Sequence, residues 1–325
     1  MKTKRSIFII LFAIIFTLSV SLVFAQQQGA GGTKEVKGGP QVLIDFSNLD
    51  NTEIDFSKFP GGIAEGFKEI KVDLSIPNWG IKLAPSSASP INRVLSFCKP
   101  VESKKMNGNV LGARIHFPTA PFNSWAKIVP PFEIPFYEDA PGDKEGEGSK
   151  FLHKGVLRNV GTIKSISVRV VGRNFPHGLS LSLKDEKDNV REMFLGYLDF
   201  DGWRTLTWNN PNYISDVKQR DLRKIPLYPE TQPSIKFYDF TVYRDSSQIG
   251  GDFVLYIKDV QMVYDLAILE IERDINDEAV WGILKQRRDA KRAAEIRRLG
   301  IMQLLRLQEK VKMQHAITGE QTNTQ

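Results

Sequence analysis

The chain has 325 residues, of which 41% are hydrophobic and 25% charged, and its formal net charge is +6. A chain of this length and composition can bury an ordinary hydrophobic core. Cys98 is the single cysteine, which excludes an intramolecular disulfide and therefore a small scaffold held together by disulfides.

The N-terminus has the pattern of a secretory signal peptide. Basic residues precede an apolar run over 7–23, and Ala25 ends a cleavage-site pattern. We therefore expect a signal peptide over 1–25, followed by a flexible Gly-rich leader over 26–40. An uncleaved membrane anchor is the alternative, because the apolar run approaches the ~20 residues that span a bilayer. After cleavage we expect no membrane association.

The region 41–265 predicts a domain of short strands. Apolar and polar residues alternate over 165–170 and again over 179–184, which places one set on each face of a sheet. The segment 120–137 contains four prolines, which cannot donate to a ladder, so it predicts an ordered aromatic loop or edge segment rather than a central strand. No helical period occurs before about residue 266. The pattern is that of an all-β sandwich or jelly roll.

The composition changes from residue 266 onward. The segment 266–314 lacks proline, is rich in helix-forming residues and predicts a basic amphipathic helical arm, and 315–325 is expected to be a disordered tail. Within the arm, 285–312 holds ten basic and three acidic residues, whereas the rest of the mature chain is acidic. An apolar seam follows spacings of three and four residues. The arm could fold back on its own sandwich, dock on a neighbouring subunit or lie on a membrane surface.

Ten residues are candidates for partner binding. Three tryptophans could form a sugar-stacking platform, with core filling as the alternative, because large aromatic side chains dominate core burial. The others form or flank the apolar seam of the arm. The candidates are Trp125, Trp203, Trp208, Arg292, Ala293, Ile296, Arg297, Leu304, Leu307 and Val311.

The sequence shows no pattern typical of a catalytic or cofactor site. The four histidines are scattered without metal-ligand spacing, and no Gly-rich phosphate loop is present. Asp199 and Asp201 resemble the start of a calcium loop, but the other ligand positions are missing. We therefore expect no metal and no cofactor. Export disfavours nucleic-acid binding in spite of the basic arm.

Six long stretches, marked by proline and tryptophan, follow one another over roughly residues 41–265. They are VLIDFS at 42–47, WGIKLAPSSAS at 79–89, VLGARIHFP at 110–118, FNSWAKIVPPFEIPFY at 122–137, IKSISVRVVGRNFPHGLSLSLKD at 163–185 and FLGYLDFDGWRTLTWNNPNYI at 194–214. In these stretches the chain resembles the flagellar filament outer-layer proteins of spirochaetes, the sheath family that coats the flagellin core of periplasmic flagella.

This resemblance implies a non-catalytic structural protein of the periplasm. Its partners would be the flagellin core filament and other sheath subunits, including copies of itself, and it would affect filament shape, stiffness and motility. The Asp-Gly-Trp element at 201–203 also resembles the galactose-binding-like jelly roll of carbohydrate-binding modules. The alternative function is therefore a periplasmic carbohydrate-binding module for cell-wall or flagellin glycans, and a glycan is a possible partner.

Overall fold

The computed structural model describes residues 39–56, 70–138, 150–214, 233–267 and 274–322, with side chains in the last helix described through Glu309 and at Lys312. The expected signal peptide and nearly all of the expected leader lie outside these residues, as does the end of the expected tail. The described residues all belong to one compact unit.

Fourteen strands and three α-helices make up the described part of the chain. The strands are β1 (Gln41–Asp45), β2 (Ile54–Asp55), β3 (Lys71–Val72), β4 (Gly80–Leu83), β5 (Phe97–Ser103), β6 (Gly108–Phe117), β7 (Ser124–Val129), β8 (Val156–Arg158), β9 (Val160–Arg173), β10 (Gly178–Asp185), β11 (Val190–Tyr197), β12 (Asp201–Asn209), β13 (Ser234–Arg244) and β14 (Gly251–Leu266). The helices are α1 (Pro90–Leu95), α2 (Asp277–Trp281) and α3 (Ile283–Thr322).

Two six-stranded antiparallel sheets form the body. Sheet I has the order β12-β9-β14-β6-β5, with β1 also paired to β14, and sheet II has the order β11-β10-β13-β7-β4, with β8 also paired to β13. The predicted all-β sandwich with a C-terminal helical extension is confirmed. The core contains aromatic side chains from strands of both sheets, among them Phe117 and Phe253 of sheet I and Phe237 and Phe240 of sheet II.

The alternation predicted in β9 and β10 is present, but the two strands differ on their outer faces. Ile166, Val168 and Val170 of β9 point into the core, while the intervening residues are partly exposed. In β10 the polar residues Ser182 and Lys184 are buried as well as the leucines. The outer face of sheet II is therefore covered at Ser182 and Lys184, which an alternating pattern alone does not reveal.

The segment 120–137 was predicted as a loop or edge segment, and this was wrong for its middle. Strand β7 pairs with β13 on one side and with β4 on the other, so it is internal to sheet II. All four prolines of the segment lie outside Ser124–Val129, where they interrupt no ladder hydrogen bond. The following residues then cross to the core, where Phe132 and Phe136 are buried.

The helical part of the chain also differs from the prediction. A short helix, α1, occurs well before residue 266, with Pro90 in its first turn and the Ser89 side chain accepting a hydrogen bond from the Asn92 amide. Strand β14 runs to Leu266, so the long helix begins later than expected. Gly282 adopts a left-handed conformation, with φ of 58°, and ends α2. The backbone stays helical to Thr322, beyond the predicted end at 314.

Candidate partner-binding surfaces

Helix α3 is attached to the outer side of sheet II by charged residues. Glu133, which follows β7, accepts hydrogen bonds from Lys184 at 2.8 Å and Arg298 at 2.9 Å, and Lys236 lies 2.9 Å from the same carboxylate. Lys236 also binds Glu295 of the helix at 3.1 Å. We call this set, together with Asp188 at 2.9 Å from Lys184, the helix-docking network.

The helix-docking network balances its charges. It contains three cations and three carboxylates, and it encloses Lys236, whose side chain is 0% exposed. The Lys236 ammonium also lies 4.3 Å from the centre of the Phe136 ring. The Phe136 amide donates to Glu295, with distances of 3.0 and 3.1 Å to the two oxygens. A buried cation needs such partners, because desolvation is costly when its charge is not matched. Helix α3 supplies one of the required carboxylates.

The environment shifts the pKa values of the two buried carboxyls in opposite directions. Burial by itself would raise the pKa of Glu133, but the hydrogen bond from Arg298 and the charges of Lys236 and Lys184 hold it well below its usual range. Burial raises the pKa of Glu295, and the Lys236 charge and the Phe136 amide offset this only in part. The pKa of Arg298 is raised by its hydrogen bond to Glu133.

Two further contacts extend the attachment of α3. Lys291 binds Glu186 at 3.0 Å, and Glu186 also accepts a 2.7 Å hydrogen bond from the Tyr137 hydroxyl. Leu299 is 4% exposed and belongs to the same hydrophobic cluster as the sandwich core. Helix α3 therefore folds back on its own sandwich, which was one of the alternatives left open by the sequence.

The apolar seam predicted for the helix coincides only in part with the face that meets the sandwich. Ala293 and Arg297 are exposed, Arg292, Ile296 and Leu304 are partly exposed, and Leu307 is half-buried and packs against the core. Val311 belongs to α3, but its side chain lies outside the described residues. The closest contacts with the sandwich are made by Lys291, Glu295, Arg298 and Leu299. Their spacing of four, three and one is compatible with one helix face, but three of the four residues are charged, so the sequence shows no apolar pattern there.

The three candidate tryptophans do not form one platform. Trp125 pairs across the ladder with Tyr243 and lies on the outer face of sheet II. Trp203 and Trp208 belong to the edge strand β12 of the other sheet, where Trp208 packs against the core and Trp203 faces outward beside Val171. A stacking surface built from all three is therefore not present.

An exposed aromatic surface that sequence reasoning missed lies on sheet II. Val190, Phe194 and Tyr197 of the edge strand β11, with Tyr243 of β13, are 38% to 58% exposed. The Phe194 and Tyr197 rings lie 5.2 Å apart in an edge-to-face arrangement. Glu192 lies among them and accepts a 2.5 Å hydrogen bond from the Tyr243 hydroxyl. We call these five residues the aromatic strip.

Two further groups with shifted pKa values, His177 and Cys98, are buried in the body. His177 stacks on Phe253 at 4.6 Å, and burial together with the Arg244 charge lowers its pKa to about 4. Burial raises the pKa of Cys98 to about 12, so its thiol is a poor nucleophile. Within the described part of the chain, no group of three or more acidic, histidine or cysteine residues is arranged to hold a metal ion. Among the described helices, none is both long and apolar enough to cross a membrane.

Together these features define the class of protein: a β-sandwich with a helix fastened across one sheet by ion pairs. Residues 44–273 match the sequence profile of a family described as flagellar filament outer layer protein Flaa. A flagellar filament outer layer protein of Spirochaeta aurantia is 45% identical over 290 residues, covering 83% of this chain and 86% of that protein. The protein of the same description from Treponema pallidum is 39% identical and covers 84% and 88%.

The chain belongs to the flagellar filament outer layer protein family. Among solved structures, it is similar to the carbohydrate-binding module TmCBM61 in complex with β-1,4-galactotriose, with 11% identity, coverage of 57% of this chain and 88% of that one, and a TM-score of 0.26. The family 11 carbohydrate-binding module of Lic26A-Cel5E from Clostridium thermocellum gives 12% identity, 73% and 98% coverage and a TM-score of 0.27.

Proposed function

We propose that the chain is a non-catalytic structural subunit of the outer layer of a periplasmic flagellar filament. The observation that carries this proposal is the family match over residues 44–273, which includes nearly all of both sheets. The sandwich supplies the contact area, and the partners are the flagellin core and neighbouring outer-layer subunits. The signal-peptide pattern at the N-terminus supports export to the periplasm.

The surfaces of the described residues suit this role. The sandwich presents exposed apolar and aromatic side chains on sheet II and on α3, and grouped exposed apolar residues are typical of protein-binding surfaces. In a layer, each subunit is held by several neighbours at once. Modest individual contacts are then sufficient, because binding to one neighbour raises the effective concentration of the next.

Co-sedimentation with purified flagellar filaments, stripped of their outer layer, tests the proposal. The full chain is expected to pellet with the filaments and to saturate, because a coat has a fixed number of sites along the core. The chain without filaments is the control for self-association. Failure to pellet at any concentration would contradict the structural role.

The second candidate function is a carbohydrate-binding module of the periplasm. It is supported by the outward-facing aromatic side chains of Trp125 and Tyr243, which could stack on sugar rings. A pull-down with cell-wall glycan in parallel with filaments separates the two functions. Retention on the glycan with none on filaments would favour the second.

A further inference from the structure

Over residues 290–305, the exposed side chains of helix α3 are mainly apolar. The other side of this stretch is attached to sheet II through the helix-docking network. On the exposed side, Ile301 is 44% and Leu305 49% exposed. We call the exposed residues at spacings of three and four on this side the outer helix face: Ala290, Ala293, Ala294, Arg297, Ile301 and Leu305.

A helix that exposes an apolar side normally packs that side against a partner. The small side chains of the three alanines allow close approach, and the two larger residues one turn apart provide apolar contact area. Arg297 is the single charge of this face, and no ion pair of its guanidinium occurs among the described residues. A surface complementary to the outer helix face is therefore apolar and carries a carboxylate.

The aromatic strip has these properties. It is apolar and aromatic except for Glu192, one oxygen of which accepts the hydrogen bond from Tyr243. It lies on the outer face of sheet II, which is the side of the molecule that α3 covers, because β11 continues the same sheet face as Lys184 of the helix-docking network. The two surfaces are neighbours on one side of the molecule.

The two surfaces cannot meet within one chain. The helix-docking network fixes the opposite side of α3 against the sheet, so the outer helix face points away from its own aromatic strip. In a dimer related by a two-fold axis the two surfaces can meet, because the helix of each copy lies on the aromatic strip of the other. Such an interface is self-complementary, as a two-fold contact requires.

We propose that the outer helix face of one copy packs on the aromatic strip of a second copy, with Arg297 paired to Glu192 across the interface. Two sheets then enclose a layer of two α3 helices, and each contact occurs twice. The inference rests on the proposed function, since it names a contact between neighbouring subunits of a layer. Apolar burial supplies the attraction, and the charge pair fixes the register.

Light scattering during size-exclusion chromatography of the full chain, over a range of concentrations, tests the proposal. The wild type is expected to form a concentration-dependent dimer. Ile301→Asp, Arg297→Glu and Glu192→Arg should each raise the dissociation constant by about tenfold or more, because they place a charge in an apolar contact or oppose like charges. Combining Arg297→Glu with Glu192→Arg on one chain should restore most of the affinity.

Val94→Asp, at a residue 78% exposed on α1, is the matched control and should dimerise like the wild type. Circular dichroism and thermal midpoints check that every variant is folded. A monomeric wild type would overturn the proposal, as would an Ile301→Asp variant that dimerises like the control or charge reversals that fail to rescue each other.

Filament co-sedimentation of the same variants separates this inference from the proposed function. The variants that lose the dimer should also coat filaments less tightly, because the helix–strip contact is one of the contacts that hold a layer together. A wild type that coats filaments but never dimerises would overturn the contact and leave the structural role intact. A wild type that dimerises as expected but does not bind filaments would support the contact and contradict the structural role.

Discussion

Glu133 is the residue on which the attachment of α3 most depends. It is the shared acceptor of two strand lysines and one helix arginine, and it follows a proline pair directly after β7. Neither lysine could be buried on a sheet face without a carboxylate nearby, because an unmatched buried charge is strongly destabilising. No local pattern in the sequence marks Glu133 for this role.

Replacing Glu133 with Gln tests this dependence. The substitution preserves shape but removes the negative charge, which leaves Lys236 with Glu295 as its remaining carboxylate. We expect the free energy of unfolding to fall by about 2–4 kcal/mol, somewhat less than for a fully buried pair because the Glu133 side chain is partly exposed. Urea denaturation measures the change. Glu102→Gln, at an exposed position of β5, is the control and should change stability by less than about 0.5 kcal/mol.

The same variant has an expected pH dependence. The folded-state pKa of Glu133 lies below its ordinary value of 4.5, so the stability it contributes is fully present above that pH and is lost as the pH falls through the folded pKa. The stability difference between wild type and Glu133→Gln should be constant from about pH 5 to 8 and shrink below about pH 4. A difference that grows on acidification would contradict this assignment.

At the scale of the element, α3 combines a charged docking face with one strongly buried apolar residue. Leu299 contributes to the sandwich core, whereas Leu305, six residues later, is half-exposed on the outward side. The helix is 40 residues long and contains Gly300, which lowers its intrinsic stability by about 1 kcal/mol relative to Ala. Tertiary contacts at Leu299 and in the helix-docking network therefore hold this part of the helix.

Leu299→Ala and Leu305→Ala form a matched pair on the same helix. We expect Leu299→Ala to lower the free energy of unfolding by about 2–3 kcal/mol, because it removes a buried side chain and leaves a cavity. Leu305→Ala should change it by less than about 0.5 kcal/mol in the monomer. Hydrogen exchange should show faster exchange of α3 amides in the first variant only. Equal effects of the two would mean that the buried side of the helix is assigned wrongly.

At the scale of the whole molecule, α3 covers part of sheet II and adds an outward apolar surface. The sandwich has its own core of paired aromatic side chains, such as Phe237 and Phe240 at 5.0 Å, so it does not depend on the helix for most of its burial. Removing the helix would, however, expose Lys184 and Lys236 and remove Leu299 from the core.

A truncation that ends at Leu266 tests this division. We expect a folded sandwich that unfolds cooperatively, with a midpoint lowered by roughly 5–10 °C because the contacts of Leu299 and Glu295 are lost. We also expect it to lose co-sedimentation with filaments, because the outer helix face is absent. A chain that lacks only residues 323–325 is the control. Normal coating by the truncation ending at Leu266 would show that the helix is not needed for assembly on the filament.

Local patterns in the sequence were sufficient for the sandwich class and for several strands. Alternation of apolar and polar residues over β9 and β10 reflects the two faces of a strand, which is a property of adjacent residues. Helical composition likewise located a C-terminal helix. The prolines of 120–137 led to the wrong prediction for β7. A proline cannot donate a ladder hydrogen bond at its own position, but the residues between two prolines can still pair in a sheet.

Only the tertiary structure decided which side of α3 meets the sandwich and which sheet face it covers. The apolar seam left open what the helix contacts. The side that meets sheet II carries charged residues beside Leu299, because its partners Lys184, Lys236 and Glu133 come from distant parts of the chain. Charge matching between such segments depends on the register of the sheets, which no local pattern contains. For the same reason, the aromatic strip became recognisable only when β11 and β13 placed their side chains on one face.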